Sequence, residues 1–278
     1  MHRLKIAAPA KINLTLEVLD KREDGFHNIK SIMQAISLYD YLTIQISDST
    51  KTQIVLTGTS KDIPYDNRNL IHKAADKFLE KTKIKNKKIE IHTEKNIPIE
   101  AGLAGGSTDA AATFFGLNKL FNNPLTNEEI EEMCASLGSD LNFCLKGGTA
   151  LCTGRGEKIQ KIETPNQYVT LIKPTGFGIS AKEAYTKFSQ MKDKSVPNNT
   201  EKMAERFNTS LLYNSLEKAV INDYQELLEI KRRIPTSMMS GSGPTFFVLQ
   251  KYSPDSFDKK HFLVIENLHF ISDGVKVV

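Results

Sequence analysis

Apolar and β-branched residues gather at Leu4–Ala8, Ile12–Val18, Leu42–Ile46 and Gln53–Leu56, and this clustering predicts four strands. Between them, Lys21–His27 (KREDGFH) carries an Asp-Gly turn signal and is expected to be a hairpin or loop. Leu70, Ala74, Ala75, Phe78 and Leu79 recur at helical spacing, which predicts a helix over 69–81, and Ile89–His92 reads as a strand behind it. A further helix is expected from Ser107 to about Leu120, where Asn122-Asn123-Pro124 breaks it. Thr126 with Glu129 then forms a capping box for a helix that ends near Leu137 at Gly138. Ser139–Lys146 is a short segment before Gly147-Gly148 and a strand over Thr149–Thr153. A second region begins at Thr164–Pro165, with a strand at Tyr168–Lys173 and helices at Ala181–Gln190 and Asn214–Ile234. Lys192–Lys202 is polar and expected to be mobile, and the strand Thr245–Leu249 follows the turn Met238–Pro244. Strand, helix, helix, glycine turn and strand in that order suggest an α+β sandwich.

The most informative stretch is Pro98–Ala112, PIEAGLAGGSTDAAA. Gly102, Gly105 and Gly106 lack Cβ atoms, so the backbone there can take left-handed angles and approach a ligand closely. Ser107, Thr108 and Asp109 fall where an N-cap and first helical turn are expected, ahead of three alanines. A helix opening there aims unpaired N–H groups and its dipole into the loop, which suits a phosphate. The alternative is a tight strand-to-helix turn with no ligand. Neither the Walker loop nor the dinucleotide fingerprint fits: no Lys follows Gly106, and the glycines are spaced Gly-x-x-Gly-Gly.

Composition narrows the classes. With 278 residues, 40% of them hydrophobic and 25% charged, the chain has material for two ordinary domains. A net charge of +4 is mild. The run Lys81–Lys88 has no interleaved aromatics and reads as a solvated loop, so nucleic acid is not an expected partner. No stretch reaches the ~18 apolar residues of a membrane span, and the N-terminus lacks a leader's h-region. Cys134, Cys144 and Cys152 are expected as buried thiols in a cytoplasmic protein. The six histidines form no metal-binding pair.

Three separated segments resemble the GHMP small-molecule kinases. Ala8-Pro9-Ala10-Lys11-Ile12-Asn13-Leu14 resembles their first motif, Pro98–Ala112 their phosphate loop, and Met239-Ser240-Gly241-Ser242-Gly243-Pro244 their third motif. Lys11–Leu14, Arg22–His27 and Leu137-Gly138-Ser139-Asp140 are similar to the branch acting on a cytidine diphosphate-linked methylerythritol in the non-mevalonate route to isoprenoids. The resemblance implies an α+β, two-domain fold. An N-terminal domain over 1–163 would resemble ribosomal protein S5 domain 2, a C-terminal domain over 164–278 would be ferredoxin-like, and the site would lie in the cleft between them.

The same resemblance implies ATP as phosphoryl donor, Mg²⁺ as helper, and a monomer or weak homodimer. ATP would be held by Pro98, Gly102, Leu103, Ala104, Gly105, Gly106, Ser107 and Thr108, by Asn69 and Lys95 near the adenine, and by Gly241, Ser242 and Gly243 from the C-terminal domain. Ser107 is the candidate Mg²⁺ contact, its bland reading being a plain N-cap. Asn69 reads equally well as a helix cap, and Lys95 as a solvated loop residue. Asp140 is the candidate base that orients an alcohol and collects its proton late; an Asp after Gly-Ser can equally cap a helix. Lys11 would support that carboxylate and the charge growing on the transferred phosphoryl group. Asn13, two residues along the same strand, faces the same way and would bind the substrate's polyol. Phe26, His27, Ser180 and Tyr185 would bind the rest of the substrate, with the aromatics stacking on a base and His27 reading its edge. Phe26 stands where the branch usually has Tyr, and Asn142 where it usually has Pro. Rival readings are a kinase for another alcohol such as homoserine or mevalonate, a non-catalytic ligand sensor, and an RNA-binding protein.

Overall fold

A long antiparallel hairpin, β1 (His2–Lys21) and β2 (His27–Asp48), organises the computed structural model, which describes residues 2–251 and 257–278. The two predicted strands 4–8 and 12–18 are thus one strand of 20 residues. Pro9 does not end it, because the pairing register shifts between Pro9 and Ala10 and the irregularity absorbs the missing N–H. Most of β2, from His27 to Tyr41, was not expected from the sequence. The turn signal in 21–27 does hold: Lys21 pairs with His27, and Gly25 takes φ 84.

The chain continues through β3 (Gln53–Gly58), α1 (Leu70–Thr82), β4 (Lys87–Glu94), α2 (Gly105–Leu120), α3 (Asn127–Leu137), α4 (Leu141–Lys146), β5 (Thr149–Thr153) and β6 (Lys158–Ile162). The second part holds β7 (Tyr168–Pro174), α5 (Ala181–Gln190), α6 (Asn199–Glu205), β8 (Tyr213–Asn214), α7 (Ser215–Val220), α8 (Gln225–Arg233), β9 (Met238–Met239), β10 (Phe246–Val248), β11 (Phe262–His269) and β12 (Lys276–Val277). The first sheet runs β12-β1-β2-β4-β3, with β5 and β6 continuing from β2 and β8 joining β1. The second runs β11-β7-β10-β9. The first sheet therefore borrows β8 and β12 from the C-terminal half of the chain.

One face of the first sheet carries α1, α2, α3 and α4, with Ile6, Ile44, Phe78 and Phe114 fully buried between them. Small residues bring α2 close: a Cβ added to Gly116 would stand 2.3 Å from Ile6 Cδ1. The other face packs on the second sheet, where Ile12 and Leu14 meet Leu171 and Phe247. Covered on both sides, β1 is buried almost continuously from Ile6 to Val18.

Three further expectations need correction. The predicted helix 214–234 is α7, a short turn at Ile221–Asp223 and α8, because Asn214 opens α7 by accepting from Leu216 N at 2.8 Å. The polar stretch 192–202 runs into α6, where Thr200 is fully buried and donates to Thr15 Oγ1 at 2.9 Å. The lysine-rich run 81–88 overlaps the end of α1 and the start of β4 rather than being all loop. The capping box of α3 is formed as expected, and the three cysteines are buried, which raises each thiol's pKa. No helix among the described residues is long and apolar enough to cross a membrane.

Candidate active site

Alternation along β1 gives the site its first side chains. Lys11 and Asn13 are spaced by two and so share one face, and both are buried; the register shift between Asn13 and Thr15 then turns Thr15 and Glu17 away, toward Thr200. A buried ammonium needs partners. Lys11 Nζ donates to Asn13 Oδ1 at 2.7 Å and lies 3.4 Å from Asp140 Oδ2. Asn13 in turn donates to Ser31 Oγ at 2.8 Å, and Ser31 donates to the Thr15 carbonyl at 2.5 Å. The lysine is thereby held by a chain of polar groups across two strands.

Asp140 stands at the start of α4, yet its carboxylate makes no capping hydrogen bond; the backbone there is already helical, at φ −86 and ψ −11. Its side chain is 29% exposed and lines a cavity of about 610 Å³ together with Lys11 and Asn13. α4 forms without the usual proline, since Cys144 N reaches Asp140 O at 2.9 Å while Asn142 is buried in the turn.

The glycine stretch also lines this cavity, through Gly102, Ala104 and Ser107. Its local form differs from the expectation. Of the three glycines only Gly102 is left-handed, at φ 74; the other left-handed positions of the stretch are Glu100, at φ 48, and Ala104, at φ 60, and Gly105 is already the first residue of α2. Ser107 is therefore not the N-cap but lies within the first turn. The first helical bond runs from Thr108 N to Ala104 O at 2.9 Å, so the amides of Gly105, Gly106 and Ser107 are the orphan donors of this helix start. Leu103 is buried, and its carbonyl accepts from Lys11 N at 3.1 Å, joining the loop to β1.

The third glycine segment closes on the first. Ser240 Oγ donates to Gly102 O at 2.9 Å, and a Cβ on Gly241 would lie 3.3 Å from Lys11 Nζ and 3.4 Å from Asn13 Oδ1. Gly241 and Ser242 line the cavity, while Gly243 packs against Met239. Asn214, which the sequence reading missed, holds this turn: its Nδ2 donates to Met239 O at 2.7 Å and to Gly241 O at 2.9 Å.

Phe26, His27 and Tyr185 line the same cavity. His27 stacks on Tyr185, with centroids 5.4 Å apart, and its Nε2 lies 3.3 Å from Ser189 Oγ. Burial, followed by the charges of Lys21 and Lys194, pushes the His27 pKa below its ordinary value, so the ring is neutral at neutral pH. Phe26 is 51% exposed, and the Arg155 guanidinium sits 5.0 Å from its ring centroid. Arg155 was missed, although its flanking glycines, Gly154 and Gly156, marked it as a turn residue in the sequence.

Five more predicted residues do not line the cavity, Thr108 among them, which is fully buried in α2. Asn69 caps α1, accepting from Ile71 N at 2.9 Å, and Ser180 caps α5, accepting from Glu183 N at 3.1 Å. Pro98 is half-buried ahead of the loop. Lys95 is not a solvated loop residue: only 6% of its side chain is exposed, and it pairs with Asp40 and Asp109.

Residues 69–148 match the family described as "GHMP kinases N terminal domain". A 4-diphosphocytidyl-2-C-methyl-D-erythritol kinase from Bacillus cytotoxicus is 42% identical over 262 residues, spanning 89% of this chain and 88% of the relative. One from Clostridium beijerinckii is 40% identical over 259 residues, spanning 88% and 90%. A crystal structure of 4-(cytidine 5'-diphospho)-2C-methyl-D-erythritol kinase superposes with a TM-score of 0.72 at 29% identity, covering 91% of each chain. Homoserine kinase from Cytophaga hutchinsonii superposes with a TM-score of 0.78 at 18% identity, covering 100% of this chain and 98% of that one. The latter likeness shows the two-domain α+β fold alone, and the higher score at lower identity illustrates that fold does not select substrate. The sequence likeness over nine-tenths of the chain is decisive: this protein is a GHMP kinase and belongs to the 4-diphosphocytidyl-2-C-methyl-D-erythritol kinase family.

Proposed function

We propose that the protein transfers the γ-phosphoryl group of ATP to the 2-hydroxyl of 4-diphosphocytidyl-2-C-methyl-D-erythritol, and that the cavity described above is where it does so. The observation that carries this reading is the Lys11–Asp140 pair, 3.4 Å apart in the same cavity as the start of α2 and the His27–Tyr185 stack. Phosphoryl transfer to an alcohol asks for positioning and charge stabilisation. Those are what this set of groups can supply.

In this reading the amides of Gly105, Gly106 and Ser107, with the loop from Gly102, grip the nucleotide's phosphates. Asp140 orients the acceptor hydroxyl and takes its proton as the bond to the departing ADP loosens. Lys11 offsets the charge on the equatorial phosphoryl oxygens, and Asn13 fixes the lysine and meets the polyol. Gly241 and Ser242 cover the reacting groups from the C-terminal domain, so the halves 1–163 and 164–278 each contribute one side. Phe26 and Tyr185 stack on the base, and neutral His27 exchanges hydrogen bonds with its edge. Among the described residues no cluster of three or more His, Cys, Asp or Glu side chains could bind a metal unaided. Ser107 Oγ, which lines the same cavity, would hold a Mg²⁺ ion together with the nucleotide's phosphates. When bound, it would supply further charge neutralisation at the phosphates.

An ADP-release assay with purified protein tests the substrate. The cytidyl polyol should exceed homoserine and mevalonate in kcat/KM by at least about 100-fold, because a site built around buried polar groups rejects ligands that leave them unpaired. Faster turnover with either small alcohol would overturn the reading. His27→Ala should raise KM for the cytidyl substrate about tenfold or more, as loss of a stacked and hydrogen-bonded base predicts, with KM for ATP within about threefold of wild type. Equal losses for both substrates would remove His27 from base recognition.

A further inference from the structure

Directly behind the glycine loop lies an ionic cluster that the proposed chemistry does not use. Lys95 follows β4, and its ammonium pairs with Asp40 on β2 and lies 2.6 Å from Asp109 Oδ2 on α2. The side chains are 6%, 0% and 3% exposed. Asp40 uses its other oxygen to accept from Asn96 N at 2.6 Å and Ile97 N at 2.9 Å, so the strand end carrying Lys95 is itself clamped. A Cβ added to Gly105 would stand 3.3 Å from Lys95 Nζ and 3.1 Å from Ile97 Cγ2. The ammonium thus supports the first residue of α2 from below. Removing two carboxylates and a lysine from water is costly, and packed apolar side chains would hold the helix as well, so stability alone does not explain the cluster.

We propose that Asp40, Lys95 and Asp109 are positioning residues for the phosphate loop: the buried ammonium ties the first turns of α2 to β2 and holds the amides of Gly105, Gly106 and Ser107 where they meet a polyphosphate. The inference rests on reading Gly102–Ser107 as the phosphate loop, and it departs from placing Lys95 against adenine. Asp109 Oδ1 is buried and has no hydrogen-bond partner among the described residues, so the Lys95 ammonium is the one contact that holds this carboxylate in place.

Calorimetric titration of wild type, Lys95→Met and Asp109→Asn with ATP and with inorganic tripolyphosphate tests this. Lys95→Met should weaken both ligands by a similar factor of about ten, since loop geometry serves each alike. A loss confined to ATP would assign Lys95 to the nucleoside and overturn the proposal, as would no loss for either ligand. Should Lys95→Met not fold, Asp109→Asn carries the test, because it keeps size and removes the ion pair with Lys95: it should weaken ATP and tripolyphosphate by a similar factor of about three, and a loss confined to ATP, or none for either ligand, would overturn the proposal. A wild-type protein that binds neither ligand would instead refute the phosphate-loop reading on which it stands.

Discussion

Replacing Asp140 by Asn should lower kcat by about 100-fold or more while KM for ATP and for the cytidyl substrate stay within about threefold of wild type. The split follows from where the carboxylate stands. It takes no part in capping α4, so the fold does not depend on its charge. It lies 3.4 Å from the Lys11 ammonium, which Asn13 keeps in place at 2.7 Å, so the amide of Asn can occupy the same space and still orient a hydroxyl. It cannot accept the proton that leaves the hydroxyl during transfer. Steady-state kinetics with both substrates varied would check the outcome. Turnover within a few-fold of wild type would exclude Asp140 as the base, and a large rise in either KM would make it a binding group instead.

Gly102→Ala should be the most damaging single methyl in the site. At φ 74 an alanine is strained by roughly 1–2 kcal/mol wherever it stands. Here the added Cβ would also lie 2.0 Å from Ser240 O and 3.0 Å from Gly243 N, both backbone atoms that no rotamer change can move. The two glycine turns must separate, breaking the 2.9 Å bond from Ser240 Oγ to Gly102 O that joins the two motifs. We expect a loss of about 3 kcal/mol, a fall in Tm of at least about 6 °C, and kcat/KM reduced at least about tenfold. Gly176→Ala is the control: it has a similar φ of 86, but nothing lies within 4 Å of the new methyl, so only the conformational strain remains. If the two variants melt together and Gly102→Ala keeps its activity, the interlock of the turns is unimportant.

Much of the site was legible in the sequence because its signals are short. The capping box Thr126–Glu129, the Asp-Gly turn at 24–25 and the glycine loop each act over a few residues; the first two stand in the structure, and the third leads into a helix that opens at Gly105 rather than Ser107. The spacing of Lys11 and Asn13 placed them on one face of a strand before any partner was known. Where local signals misled, a distant contact had intervened. The gap expected between strands 4–8 and 12–18 is bridged by pairing with β2, and Asn214, expected to open one long helix to 234, instead caps the short α7 while its amide holds the carbonyls of Met239 and Gly241. Lys95 looked like a solvated loop residue because its acidic partners lie 55 and 14 positions away.

By itself, then, the sequence determined the chemistry on offer: glycines that free a helix start, a lysine and an asparagine two residues apart, an aspartate, and aromatics beside a histidine. Only the tertiary structure decided which of these meet. It set Lys11 beside Asp140, closed the Ser240 turn onto Gly102, capped helices with Asn69 and Ser180, and buried Lys95 beneath the loop. The reason is range. Turn, cap and period energies depend on neighbours along the chain, whereas ion pairing and the shape of a cleft depend on which faces of two sheets are driven together by burial, and that is settled over the whole molecule at once.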